Sequence, residues 1–385
     1  MGMRTIAPWG LVLLSTAAGC SAEAERTPTP ESAAEAKAPQ GSEVAAKPAA
    51  PSLDPSSLLG TIHFVSERDG NLEVYRWRAA SGVQRLTDDP LADFVAEVDA
   101  AGRGFTRVAT RDGDSPEAHR ERLWWMPSEG PAVAIGPEGR RARSPSWAPD
   151  RSFVVFESDA EASFCDLWKW TADDGSLTRL TRTEHGAFEP AVSPDGRQIA
   201  FVSTQDGNPE LYVMDADGQQ PARLTTWRRD DMAPRWSPDG ARLAFLRREQ
   251  GGERLLLLEL QPDGPPAERR PVPTEPGESL RHADHAWSPD GRRLAFTVHR
   301  PREPSQVSVV ELDSGRVQVV SPPHLRASMP SWSPDGRFLA VAATESDPAA
   351  LDLYALSLDG GASARLTSAP ASDWLPRWTA ERAQP

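Results

Sequence analysis

Two cysteines, Cys20 and Cys165, stand in 385 residues. If the N-terminal leader is removed and Cys20 is consumed there, no intrachain disulfide can form, and packing alone must hold the fold. No Gly-x-Ser-x-Gly nucleophile elbow and no Walker loop occur, which takes away the usual marks of serine-hydrolase and nucleotide chemistry. Basic excess is missing too. The formal net charge of −14 argues against non-specific nucleic-acid binding. The pairs Arg228-Arg229 and Arg269-Arg270 read as solvated loops. No apolar run is long enough for a spanning helix. Histidine is scarce, with seven residues, and only His282-Ala-Asp-His285 clusters.

What the chain has instead is a phrase that returns. Pro234-Arg-Trp-Ser-Pro-Asp-Gly240 recurs as His285-Ala-Trp-Ser-Pro-Asp-Gly291 and Pro330-Ser-Trp-Ser-Pro-Asp-Gly336. Altered copies are Pro190-Ala-Val-Ser-Pro-Asp-Gly196 and Pro145-Ser-Trp-Ala-Pro-Asp150. The anchoring aspartates at 150, 195, 239, 290 and 335 are 45, 44, 51 and 45 residues apart. Such a period means one supersecondary unit used many times. In the clearest unit, a segment ending at Val192 is followed by Ile199-Ala-Phe-Val-Ser, Glu210-Leu-Tyr-Val-Met214 and Ala222-Arg-Leu-Thr225. Tight turns separate them, as in a four-stranded meander. In Ser-Pro-Asp-Gly, Pro presets φ, Asp accepts backbone N–H bonds and Gly supplies positive φ. These aspartates are therefore turn formers, not catalytic acids. The tryptophans of the phrase (Trp147, Trp236, Trp287, Trp332) and the aromatics of the third strand (Tyr75, Trp124, Trp168, Tyr212, Tyr354) recur in register, so they are packing residues. Trp125, Trp227 and Trp374 fall outside these registers.

Weaker copies extend the series at both ends. Val98 to Ala109 keeps the pattern without Pro-Asp. Thr61 to Thr87 matches the later strands of a unit but lacks a first strand, and Leu375-Pro-Arg-Trp-Thr379 is that strand with nothing after it. The fragments complete one another, which predicts an all-β, seven-bladed propeller with the C-terminal strand closing the first blade. Six blades would require 88–135 to be an insertion.

The phrase Trp-Ser-Pro-Asp-Gly-Arg/Ala, followed by Leu/Ile-Ala-Phe, Leu-Tyr and Arg-Leu-Thr, resembles the WD40-like (PD40) repeats of TolB-type propellers over about 60–380. True WD repeats would show Gly-His and Trp-Asp pairs, and these are absent. TolB proteins carry an α/β domain ahead of the propeller that this sequence does not show. The resemblance implies an envelope propeller that binds another protein or an envelope polymer. Propellers of this type also front prolyl oligopeptidases, but those carry an α/β-hydrolase domain for which this sequence shows no segment.

Residues 1–19 read as a secretory signal, with Arg4, an apolar run at 9–14 and small residues after it. The end, Ala17-Ala-Gly-Cys20, resembles a bacterial lipobox, with Cys20 lipidated. Ser21 after it resembles the pattern of lipoproteins sorted to an outer membrane. Residues 20–58 are rich in Ala, Pro and Glu and nearly free of large apolar side chains, as expected of a disordered tether before a propeller at 59–381. The layout is that of a monomeric module, lipid-anchored in the bacterial envelope on its periplasmic or surface side.

For chemistry, His282 and His285 with Asp284 are placed just before the innermost strand of the sixth blade, at the channel mouth. Some related propeller lyases use His ligands from several blades, so the alternative function is a metal-dependent polysaccharide lyase or hydrolase. A solvated or capping role is the plainer reading of this spacing, and no metal or other cofactor is expected. The same register elsewhere gives Phe188 and Glu189, Asp231 and Met232, Ser328 and Met329, and Asp373 and Trp374. That mixture of acidic, aromatic and thioether groups converges on no reaction and reads as a recognition surface.

Overall fold

The computed structural model describes residues 52–381 except 101, 111–120, 162–163, 261–266, 273–279, 347–349 and 360. The signal segment, most of the tether and Cys20 lie outside the described residues. Seven four-stranded antiparallel sheets form a ring, which is a seven-bladed β-propeller. The innermost strands are β4 (Ala92–Val98), β8 (Arg143–Trp147), β12 (Ala187–Val192), β16 (Asp231–Trp236), β20 (Arg281–Trp287), β24 (Arg326–Trp332) and β28 (Asp373–Thr379). Blade 1 has the order β28-β1-β2-β3, with β1 at Thr61–Ser66, β2 at Glu73–Arg78 and β3 at Gly82–Arg85. The last strand thus closes the ring on the first, as expected, and the degenerate stretch after residue 88 is a full second blade rather than an insertion.

The repeated phrase works as its chemistry requires. In the turn after β12, the Gly196 N–H donates to Ser193 O (2.9 Å), and Asp195 Oδ1 accepts from Ser193 Oγ (2.6 Å) and the Arg197 N–H (3.0 Å). Gly196, Gly240, Gly291 and Gly336 have φ between 68 and 73°. One copy departs. Arg151 stands where glycine should, at φ 67°, a conformation that is strained for a side chain. Its guanidinium crosses to Asp99 (2.9 Å) and toward Glu97 (3.7 Å) of blade 2 and lies over Trp147.

Tryptophan joins neighbouring blades. The Trp236 indole donates to Ala191 O (2.8 Å), Trp287 to Arg235 O (3.0 Å) and Trp332 to Ala286 O (3.0 Å). Each spans one blade boundary while its ring fills the space between sheets. The Arg-Leu-Thr strand has a second job. In blade 4, Thr225 Oγ1 accepts the Leu211 N–H (2.9 Å) and donates to buried Glu210, which Arg223 approaches at 3.4 Å. Thr87 with Glu73 and Thr181 with Asp166 repeat this acid–threonine–arginine cluster. Both asparagines of the chain brace it, since Asn71 and Asn208 donate to backbone carbonyls of the following interblade loop. The acids in these clusters are buried but hydrogen-bonded, as stability requires.

Candidate functional site at the central channel

Each innermost strand should present its edge evenly to the channel, but it does not. Between the first and second strands the register shifts in every blade. In six of them the shift falls on a non-glycine residue with φ of 49–56°: Ser144, Glu189, Ala233, Asp284, Met329 and Leu375. Proline follows in five, and His285 follows in the sixth. These are β-bulges with a left-handed residue, which bend a strand and re-aim its side chains. Blade 2 lacks the proline and the positive φ.

The bulge sorts the sequence-expected residues into two sets. The pairings make Phe188, Met232, Ser328 and Trp374 equivalent, together with Phe94, Arg143 and Ala283. Asp231 and Asp373 lie one residue earlier, so the register drawn from sequence slipped by one there. A one-residue step in a strand turns a side chain to the other face. Both aspartates are accordingly fully buried. Asp231 holds Arg247 through two bonds (2.7 and 2.6 Å), and Asp373 holds Arg68 in the same way (2.7 and 2.6 Å). Asp93 with Arg107 is the third such pair, and burial pushes Asp93 up to about 6 against the pull of Arg107. These aspartates fix the start of the inner strand rather than face a ligand.

His282 and His285 lie inside β20, not before it. His282 is buried, and its Nδ1 accepts the Leu255 N–H (3.0 Å). In other blades a threonine or serine such as Thr225 or Ser321 accepts the equivalent bond. In blade 5 it is the next blade's histidine that accepts this bond. Its ring packs on Phe296, and burial lowers its pKa to about 4. His285 is also buried and is held near 3, first by desolvation and then by the charge of Arg235. Asp284 accepts from Thr297 Oγ1 (3.0 Å), and desolvation raises its pKa. Among the described residues, no three His, Cys, Asp or Glu side chains gather closely enough to hold a metal ion.

Glu189, at the bulge of β12, is buried and accepts the Ala233 N–H of the next blade. Its own N–H donates to Glu157 of the blade before (2.9 Å), so it is a strut of the ring. Phe188, Met232 and Trp374 remain half-exposed at the end where the inner strands begin, with Trp374 edge-on to Phe94 at 6.0 Å. The exposed Phe164 and Trp227 lie in loops at the same end.

Two residues after the bulge, a further ring was missed in the sequence: Glu97, Ser146, Ala191, Arg235, Ala286, Ser331 and Arg377. Glu97 accepts the Trp147 N–H (3.1 Å), Ser146 the Val192 N–H (2.9 Å) and Ser331 the Trp378 N–H (2.8 Å), each from the next blade. Desolvation lifts Glu97 to about 7 despite the nearby charge of Arg151 and the Trp147 bond. Arg235 also acts on Glu97, and both Arg235 and Glu97 act on Arg377, from blades on different sides of the ring. Their charges therefore meet across the channel.

Comparison with known proteins agrees with this architecture. The model of the TolB beta propeller domain matches residues 283–384, and that of the Tricorn protease N-terminal beta propeller domain matches 162–303. Over residues 283–384 the propeller matches the TolB type. A TolB homologue of Chlorobium luteolum is 30% identical over 43% of this chain and 36% of its own length. The Tol-Pal system protein TolB of Anaeromyxobacter dehalogenans is 27% identical over 43% of this chain and 38% of its own. The chain thus matches little more than a third of these relatives' length. Among solved structures, Acinetobacter baumannii TolB superposes with TM-score 0.51 at 22% identity, over 80% of this chain and 79% of that one. An oligogalacturonate lyase of Vibrio parahaemolyticus gives TM-score 0.60 at 14% identity, over 80% and 89%. At such identities the likeness is one of fold, and function has to be argued from the site.

Proposed function

We propose that this is a non-enzymatic, TolB-like propeller, lipid-anchored through Cys20 in the bacterial envelope with the outer membrane favoured, which binds an envelope protein or polymer at the end of the ring where the inner strands begin. The observation that carries the reading is how the titratable groups are used. Asp231, Asp373, Glu189 and His282, which a catalytic reading would recruit, are each buried in bonds that hold strands or blades together. The half-exposed Phe188, Met232 and Trp374, with exposed Trp227 and Phe164, supply the apolar anchors that binding surfaces use. A tether at 20–58 suits a module that must reach its partner from a membrane.

The test is crosslinking of the full-length protein in its own cell envelope. A discrete partner should be captured from wild type, and capture should weaken in Trp227→Ala and Trp374→Ala variants. A mass shift on Cys20, lost together with membrane association in Cys20→Ser, should accompany it. Stoichiometric metal in the purified protein that His285→Ala removes, together with turnover of an acidic glycan, would overturn the reading in favour of a lyase or hydrolase.

A further inference from the structure

The arginines inside the ring are committed to carboxylates. Arg68 holds Asp373, Arg107 holds Asp93, Arg143 holds Glu157 and Arg247 holds Asp231. Arg235 and Arg377 differ. Among the described residues neither has a carboxylate within 4.0 Å. The side-chain hydrogen bonds of each among the described residues go to the carbonyl of the preceding proline, Pro234 O at 3.3 Å and Pro376 O at 3.1 Å. Both occupy the register at which other blades use Ser146 and Ser331 to tie the ring. They have no such tie, and the indole bond from Trp287 goes to the Arg235 carbonyl, which any residue would supply.

Exposed Arg235 and half-exposed Arg377 thus bring two like charges together across the channel, with Glu97 and Asp284 acting on Arg377 only from beyond ion-pair distance. The acids whose charges act on Arg377 have partners of their own, Glu97 the Trp147 N–H and Arg151, and Asp284 the Thr297 hydroxyl. The pKa of Arg377 is lowered, chiefly by desolvation and then by the charge of Arg235, against the pull of Asp284 and Glu97. Such an arrangement favours an anion between the two groups, and guanidinium suits a carboxylate best because its planar fork offers paired donors.

We infer that Arg235 and Arg377 form a carboxylate-binding site in the central channel, which takes an acidic side chain or chain end of a protein partner inserted along the axis. The inference rests on the binding-module reading and names the chemistry of its partner. A peptide fits better than a glycan. Three residues along the inner strand from the arginines, Phe94, Phe188, Met232 and Trp374 are apolar and half-exposed, and share their level with Ala283, Ser328 and the Glu157-paired Arg143. Three strand residues span roughly 10 Å. A peptide can offer apolar side chains there and a carboxylate beyond, whereas a polyuronate presents hydroxyls and charges at every level.

The test uses the full chain, its Arg235→Gln, Arg377→Gln and doubly substituted variants, and two random hexapeptide libraries, one centred on Glu and the other on Gln. Wild type should enrich the Glu library about tenfold or more over the Gln library, as expected for a charge-assisted bond. The double variant should lose that preference while keeping wild-type circular dichroism and thermal midpoint. Equal retention of the two libraries by wild type, or a preference that survives in the double variant, overturns the site. Retention of oligogalacturonate in place of either library overturns the peptide assignment. In the envelope crosslinking experiment, undiminished capture by the double variant would sink the channel site and leave the binding reading standing. No capture by wild type would sink the binding reading itself.

Discussion

Ring closure can be tested by one substitution. Trp378 is buried on the closing strand within the cluster of Ile62, Phe64, Tyr75 and Trp77, and its indole donates to Leu59 O at 2.9 Å. Its backbone N–H is held by Ser331 of the preceding blade (2.8 Å), so the residue touches both sides of the seam. Replacing a buried tryptophan by alanine costs about 3–5 kcal/mol in transfer and cavity terms. The lost indole bond adds about 1 kcal/mol. Trp378→Ala should therefore remove about 4–6 kcal/mol, a large share of the ~5–15 kcal/mol that ordinary domains have. Urea unfolding followed by circular dichroism would read it, with exposed Phe164→Ala as control, expected within about 0.5 kcal/mol of wild type. A chain ending at Ala371 should lose still more, because it also strips the Arg68–Asp373 pair and leaves β1 unpaired. If Trp378→Ala and Phe164→Ala shift the midpoint equally, the seam does not hold the ring and the closure argument fails.

Asp231→Asn leaves the Arg247 guanidinium buried without its partner, so a loss of about 3–5 kcal/mol in the same unfolding assay is expected, and a change below 1 kcal/mol would contradict the pairing. The buried His63, His282 and His285 have pKa values lowered to about 3, 4 and 3, chiefly by desolvation. The unfolded chain takes up protons first, so their contribution to stability is intact above about pH 6.5 and declines as pH falls toward 4, by up to about 1.4 kcal/mol per pH unit for each. A urea midpoint that stays flat from pH 6.5 to 4.5 would refute their burial. Glu97 has the opposite sign: its pKa is raised to about 7, so ionisation penalises the fold as pH rises from about 4.5 through 7. Glu97→Gln should then stabilise at pH 8 and lose that advantage by pH 5, and the reverse order would refute the desolvation account. Cys165 is buried, and desolvation lifts its thiol to about 11. Native protein should resist thiol reagents that label it fully in urea.

Much of the ring is legible in the sequence because its signals are local and repeated. Ser-Pro-Asp-Gly makes its turn through its own side chains, and the complementary ends at Thr61 and Thr379 announce the seam. The bulge is less visible. Its left-handed residue is Ser144, Glu189, Ala233, Asp284, Met329 or Leu375, with no shared chemistry, because neighbouring strands rather than residue preference impose the conformation. That hidden residue displaced the alignment of Asp231 and Asp373 and made buried ion pairs look like surface acids. It also put the His282–His285 segment before a strand that in fact contains it.

Departure from the repeat is the remaining signal, and it has to be read with its partners. Arg151 breaks a glycine position, yet it grips Asp99 of the preceding blade. His282 occupies the place of an aspartate in blades 1, 2 and 5, yet it accepts the backbone bond that a threonine or serine accepts in other blades. Both are repairs, and their conspicuous chemistry misleads. Arg235 and Arg377 sit quietly before a repeated tryptophan, where small residues suffice in most blades, and no bond in the ring accounts for their charge. A costly group without a structural partner is the better guide to where a propeller meets something outside itself. In this chain that criterion selects the channel over the histidines.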